Sequence, residues 1–378
     1  MLLIEFPPGP GGLGTLTYQI SRCLTQMGWQ VAVATPQSFA TNQEIEAFND
    51  LQLFKITRFD YKGPAILEGL SRLFITLQLI RAHRPDVILA IGRQSVWLES
   101  LIASITNIPC AAVGAGTEFL VSAWVKRAMT YWAYQRADLV IYISQSTRTL
   151  AQSLGYHSSI DTIISLGADE EIFKPGLTTT DLRQELKLTD SKVILTVGQV
   201  SERKAQDVVI KALPGILDDF PNAFYLIVGL PTNQASLELL ANELGVAEHI
   251  HFTGIVPQKD LPLFYNLADV FVLVSRRTEG GEVEGFGIAV VEAALSGKPA
   301  IVSNESGLVE AVVPGVTALV VNPEHPEMTA AAIKQLLTDD QLRQAMGVAA
   351  RQHALEAATW RQQIKKFDHH LRNLIKNN

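Results

Sequence analysis

Two carboxylates, Glu284 and Glu292, bracket a glycine-rich run, Glu279-Gly280-Gly281-Glu282-Val283-Glu284-Gly285-Phe286-Gly287-Ile288-Ala289-Val290-Val291-Glu292. An apolar strand pattern, Val270–Val274, precedes the run, and the apolar period of a helix begins near Gly287. Glu284 is therefore expected in a loop and Glu292 on the second helical turn. Gly285 and Gly287 free the backbone to turn N–H groups toward an anion at a helix start. Carboxylates accept strongly from O–H donors. One carboxylate in the loop and one on the helix can thus hold two sugars, with a phosphate between them. The competing account is an acidic surface loop before a capped helix, because acids near helix N-termini are ordinary. The agreement of glycines, acids and strand–loop–helix context favours a ligand site.

A second element, Gly198-Gln199-Val200-Ser201-Glu202-Arg203-Lys204-Ala205-Gln206-Asp207, joins a strand to a helix. Arg203 and Lys204 at that helix entry supply positive charge where a diphosphate could lie. Read alone, they fit a solvated basic pair better than a ligand site. A third, Gly9-Pro10-Gly11-Gly12-Leu13-Gly14, matches G-x-G-x-x-G between a strand and a helix. A nicotinamide site also wants an acid at the end of the next strand. That strand ends Val33-Ala34-Thr35-Pro36, without a carboxylate, and Pro10 removes a backbone donor. Gly11 and Gly12 still allow close approach of a phosphate or a sugar, or simply form a tight turn.

The elements that must position these residues alternate along the whole chain. Strands are expected near Leu2–Phe6, Val31–Thr35, Leu53–Arg58, Val87–Ile91, Cys110–Val113 and Leu139–Ile143. The second half repeats the pattern near Val193–Val197, Phe224–Val228, Ile250–Thr253, Val270–Val274, Ala300–Ser303 and Leu319–Val321. Helical periods lie between, so parallel sheets covered by helices are expected. The fold class is α/β, with two Rossmann-like doubly wound domains facing across a cleft. Glycine and proline punctuate Gly167–Gly176, placing the domains at 1–170 and 171–358. A last amphipathic stretch, 359–378, is expected to cross back onto the first domain.

Composition limits the function. The chain has 378 residues and a net charge of −7, which gives no support to general nucleic-acid binding. Its two cysteines, Cys23 and Cys110, make neither a metal-ligand spacing nor a disulfide framework. Residues Leu2–Phe6 are apolar apart from Glu5, lack a basic leader and stop at Pro7, and no stretch approaches the ~20 apolar residues of a span. The expected compartment is the cytoplasm, with peripheral contact at the inner membrane face. The segment Val121–Ala137 mixes Trp124, Lys126, Arg127, Tyr131, Trp132 and Arg136. It fits an anionic membrane surface or, slightly better, core packing with a snorkelling basic rim.

Taken together, these residues resemble the family-4 glycosyltransferases over nearly the whole chain. The resemblance rests on Gly11-Gly12, Arg203-Lys204, the E-x7-E run from Glu284 to Glu292, Gly297-Lys298-Pro299, Ser306-Gly307 leading to Glu310, and the junction Gly167-Ala168-Asp169 through Phe173-Lys174-Pro175. Within the family, the runs around Arg203 and Glu284 are most similar to bacterial mannosyltransferases acting on phosphatidylinositol mannosides. The resemblance implies the GT-B fold and retaining, metal-independent transfer of a hexose from a nucleoside diphosphate sugar. GDP-mannose is the favoured donor, a UDP-sugar the next, and the acceptor a glycan or glycolipid. Neither cofactor nor metal is implied, and no D-x-D tripeptide occurs.

The resemblance also implies roles. Glu292 would bind the ribose, and Glu284 the transferred sugar near O3 and O4, assisted by the N–H groups of Phe286 and Gly287. Lys204 would hold the diphosphate, with Arg203 beside it, and Gly254, Ile255 and Val256 would face the base. Gly198, Gln199, Gly285 and Ile288 complete the donor side; Gly11 and Gly12 approach from the other domain, with Ala115 and Glu118 on the acceptor side. Gln199 and Ala115 stand where the family commonly has an arginine and a histidine. Two alternatives follow: a catalytically weak nucleotide-binding homologue, or an NAD-dependent oxidoreductase.

Overall fold

The computed structural model describes residues 1, 6–9, 12–36, 40–59 and 65–377. Gly11 and most of the expected strand Leu2–Phe6 lie outside the described residues. The chain divides into two units: Met1–Leu166 with Trp360–Asn378, and Gly167–Thr359. The divisions fall a few residues before 170/171 and one residue after 358/359.

In the first unit, β1 (Ala32–Pro36) pairs in parallel with β2 (Lys55–Phe59). A second parallel sheet runs β3 (Ile88–Ile91), β4 (Cys110–Gly114), β5 (Leu139–Tyr142), β6 (Asp161–Ile163). β3, β4 and β5 are buried throughout, which is why they read as unbroken apolar runs. β6 is a three-residue, half-buried strand that no apolar run announces.

The helix Trp360–Lys376 belongs to this unit. Its buried residues Trp360, Gln363, Ile364, Phe367, Leu371 and Leu374 fall at i, i+3, i+4, i+7, i+11 and i+14, forming one face. Asp368 accepts a hydrogen bond from the Trp29 indole at 2.7 Å. Thr130, Ala133 and Tyr134 are the buried residues of helix Trp124–Arg136. Its other aromatic residues, Trp124, Tyr131 and Trp132, and its basic residues are exposed, with Trp124 at 79%, so core packing does not account for them.

The second unit holds one six-stranded parallel sheet in the order β12-β11-β10-β7-β8-β9. The strands are β7 (Lys192–Val197), β8 (Ala223–Val228), β9 (Ile250–Gly254), β10 (Val270–Leu273), β11 (Ala300–Ser303) and β12 (Ala318–Val321). Strand order builds outward from β7 in one direction, then from β10 in the other. Val270 of β10 aligns with Ile194 of β7, so these neighbours form the point where the order reverses. In open parallel sheets, ligands bind outside the carboxyl ends of the strands at that point. The core beneath it is apolar, with Ile194, Leu213, Val272 and Ile301 all buried. Each such side chain contributes ~1.5–3 kcal/mol by leaving water.

Candidate functional site

The segments leaving β7 and β10 carry the groups that the sequence singles out. After β7, the chain turns through Gly198 and Gln199 into a short 3₁₀ helix, Glu202–Lys204. Gln206 pins this turn: its amide donates to the Gln199 carbonyl at 3.0 Å and accepts from the Ser201 N–H at 3.3 Å. Ala205, at φ 51°, redirects the chain into the helix Gln206–Leu217. Arg276, just past β10, ties the two segments together. Its backbone N–H donates to the Arg203 carbonyl at 3.0 Å. Its guanidinium donates to both Asp207 carboxylate oxygens at 2.9 and 2.8 Å. Burial raises the Asp207 carboxyl, but bonds and charge from Lys211 and Arg276 outweigh it and hold the group low.

After β10, the loop closes on itself at Thr278–Glu282, where the Thr278 N–H donates to the Glu282 carbonyl at 3.0 Å. It then presents Glu284 to the basic pair. Lys204 Nζ lies 2.7 Å from Glu284 Oε2, and Arg203 pairs with the same oxygen. All three side chains are largely withdrawn from solvent. Burial raises the Glu284 carboxyl; the Lys204 and Arg203 charges and hydrogen bonds more than offset this, so it sits below its ordinary value. The Glu284 carbonyl accepts from the Gly307 N–H at 2.9 Å. A Cβ at Gly307 would lie 2.0 Å from the Gly285 carbonyl oxygen, so only glycine permits this backbone contact.

The helix Ile288–Leu295 begins beside this cluster with Gly287 as its N-cap. Gly287 adopts φ +84°, and a Cβ there would meet Leu308 at 2.2 Å. No side chain caps this helix and its first turn holds no acid, so the N–H groups ahead of Val290, which itself donates to the Gly287 carbonyl at 2.9 Å, suit an anion. Phe286 is buried beneath the turn. Glu292 follows on the second turn and is partly buried. Its Oε2 accepts from the Tyr265 hydroxyl at 2.6 Å. Burial pushes its carboxyl up to about 7, against the pull of the Tyr265 bond and the Lys204 charge. The same burial and the adjacent Glu292 charge push the Tyr265 phenol well up.

The structure thus gathers Arg203, Lys204, Glu284, Glu292 and the Gly285–Ile288 turn around the β7–β10 reversal. Gln199 contributes no charge: its amide donates to Thr232 Oγ1 at 2.9 Å. Gly254, Ile255 and Val256 leave β9, two strands from β7, and Ile255 is 62% exposed at that carboxyl end. Tyr265 and Arg276 are the partners that sequence reasoning missed. Tyr265 sits on another helix, Leu261–Leu267, and no spacing links it to Glu292.

In the first unit, Gly12 opens the helix Gly12–Gln26. Glu118 is buried, and its carboxylate accepts from the Ala115 N–H and, at 3.2 Å, from the Tyr134 hydroxyl. Burial raises the Glu118 carboxyl despite these bonds. The carboxylate therefore braces its own turn, and Ala115 offers its backbone N–H to that brace.

Residues 178–353 match the family model "Glycosyl transferases group 1", and residues 10–172 match "Glycosyltransferase Family 4". A D-inositol 3-phosphate glycosyltransferase of Corynebacterium glutamicum is 33% identical over 377 residues, covering 92% of this chain and 89% of that one. A GDP-mannose-dependent alpha-(1-6)-phosphatidylinositol monomannoside mannosyltransferase of Mycobacterium tuberculosis is 29% identical over 374 residues, covering 94% and 93%. Among solved structures, Anabaena HepE in complex with UDP and glucose superposes with a TM-score of 0.83 at 20% identity, covering 98% of this chain and 99% of that one.

Proposed function

Since the chain belongs to the group 1 and family 4 glycosyltransferases, with the GT-B fold of its structural neighbours, we propose that it moves mannose from GDP-mannose to a glycolipid acceptor, with retention and without a metal. The general activity, sugar transfer from a nucleotide sugar, comes with the family. Donor and acceptor are the inference, favoured by the mannosyltransferase and inositol phosphate relatives. Family membership sets aside the nicotinamide alternative.

One observation carries the reading: two cations, Arg203 and Lys204, share a single carboxylate oxygen of Glu284 beside an uncapped helix start and Glu292. An arriving diphosphate competes for both cations and for the free N–H groups of the turn. Glu284 is then released to accept from the hydroxyls of the transferred sugar. In the free site the Lys204 and Arg203 charges keep Glu284 ionised, and the sugar hydroxyls that replace those contacts donate to it. Glu292, on the next turn, accepts from the ribose. As the bond to the anomeric carbon breaks, charge grows on the leaving diphosphate, where the same cations and helix N–H groups already point. Positive charge supplied this way makes a metal unnecessary. Retention follows the family pattern, with attack on the face the diphosphate leaves and that phosphate taking the acceptor's proton.

A donor-by-acceptor screen with mass detection of product tests the reading. Hexose transfer from GDP-mannose to an inositol lipid supports it, while transfer only from UDP-sugars overturns the donor assignment. The neutral Gln199–Thr232 pair favours a second reading, a nucleotide-binding homologue of weak turnover. That reading predicts GDP binding without product across the whole panel.

A further inference from the structure

We propose that the helix Trp124–Arg136 is a docking surface for an anionic phospholipid bilayer. The helix has two chemically distinct sides. Thr130, Ala133 and Tyr134 are buried. Its neighbour, the helix Arg93–Thr106, fixes that inner side: Trp97 Nε1 donates to Thr130 Oγ1 and Ser100 Oγ to the Ala133 carbonyl, each at 3.0 Å. Every other residue of the helix is exposed. The exposed set includes Trp124, Val125, Met129, Tyr131 and Trp132, with Trp124 at 79%. Two of the chain's five tryptophans thus stand in water on one helix. A monomeric surface seldom displays large apolar groups so close together unless they meet a partner.

Charge selects the partner. The chain as a whole carries −7. Yet Phe119–Ala137 contains Lys126, Arg127 and Arg136 and no acid. All three cations are exposed, and Arg127 reaches the Leu154 carbonyl at 3.1 Å with one guanidinium nitrogen. Indole and phenol rings settle at the headgroup boundary, while the stems of Lys and Arg lie along apolar surface and present their charge to lipid phosphates. A protein partner would need both an apolar groove and an acidic rim; a bilayer of anionic lipids provides both without shape matching. Among the described residues, no helix is long and apolar enough to cross a membrane, so the contact is a surface one.

The position of the helix suits this use. It follows β4 directly through the turn at Ala115–Glu118, so its first residue, Trp124, emerges from the carboxyl end of the sheet. A lipid-linked acceptor would be met at that end. The inference deepens the glycolipid reading above, and its test reads vesicle binding alone, so failure of either leaves the other standing.

The full chain is sedimented with vesicles of phosphatidylcholine, with and without phosphatidylglycerol. Binding to the anionic vesicles is expected, weakening steeply as salt is raised. Lys126→Gln, Arg127→Gln and Arg136→Gln should each weaken it roughly fivefold. Trp124→Ala with Trp132→Ala should weaken it further, with little effect on melting temperature because both rings are exposed. Equal binding to neutral and anionic vesicles, or no change in these variants, overturns the proposal. So does a dimer in solution that Trp124→Ala dissolves while vesicles are ignored. The salt dependence of the unaltered chain is a test that needs no variant.

Discussion

Replacing Glu292 with glutamine separates what this side chain does for stability from what it does for the donor. Burial holds its carboxyl at about 7, against an ordinary 4.5. At ~1.4 kcal/mol per pH unit, that separation amounts to about 3 kcal/mol favouring the neutral form in the fold. Because the folded value is raised, ionisation opposes folding. The penalty is absent well below 4.5, grows as pH rises through the interval to 7, and is complete above it. Between about pH 5 and about pH 8.5 the unaltered protein should lose about 2–3 kcal/mol that Glu292→Gln retains. In a unit of this size, that corresponds to a melting temperature about 5–8 °C higher for the variant at the alkaline end. Glutamine can still accept from the Tyr265 hydroxyl, so the packing is kept.

Donor binding should move the other way. The ribose hydroxyls need an ionised acceptor, so GDP affinity of the unaltered chain should fall roughly tenfold near pH 6 relative to its plateau above 7. Glu292→Gln should bind GDP about 10–100-fold more weakly on that plateau, with little pH dependence, having lost a hydrogen bond to a charged group. Thermal melts and GDP titrations across the same pH series read both quantities. Parallel pH profiles for the two proteins, in stability or in affinity, would refute the assignment of the titration to Glu292. A stabilised variant with unimpaired GDP binding would remove Glu292 from the donor site.

Three further outcomes are expected. Lys204→Ala should lower turnover at saturating donor about 100–1000-fold, the scale for losing one preorganised contact to developing charge, as measured by product formation. Arg276→Ala should lower turnover about tenfold through misplacement of the Arg203–Lys204 turn, with Arg276→Lys recovering part of it; equal effects of both variants on melting temperature alone would mean a purely structural role. Extended dialysis against a chelator should leave the transfer rate unchanged, whereas a loss restored by Mn²⁺ would defeat the metal-independent mechanism.

The second unit was legible because parallel strands buried on both faces must be written as apolar runs. β7, β8, β10, β11 and β12 fall within a residue of their expected limits. β6 was not, because three half-buried residues carry no such signature. For helix Trp124–Arg136 the sequence leaves a membrane surface and a packed core both open, because an aromatic and basic mixture does not say which neighbours leave it uncovered. At the site, Glu284, Glu292, Arg203 and Lys204 were legible by type. Their pairing was not, since Arg203 and Glu284 stand 81 positions apart, Tyr265 and Glu292 27, and Asp207 and Arg276 69. Periodicity and motif spacing act over one element and its flanks; these contacts are set by strand order.

That strand order gives the missing arginine at Gln199 a physical answer. The free site holds two cations, Arg203 and Lys204, against one carboxylate held ionised, Glu284. Glu292, poised at about 7, adds only a partial negative charge at neutral pH. The helix start at Gly287 adds a further positive pole without a capping side chain. The cluster therefore has more positive than negative charge before any ligand arrives, and a diphosphate completes it. An arginine at 199 would enlarge that excess, yet the neutral amide bonded to Thr232 does not abolish it. On this argument Gln199→Arg should tighten GDP binding, while Lys204→Ala, which leaves Arg203 matched one-to-one with Glu284, should remove the excess altogether.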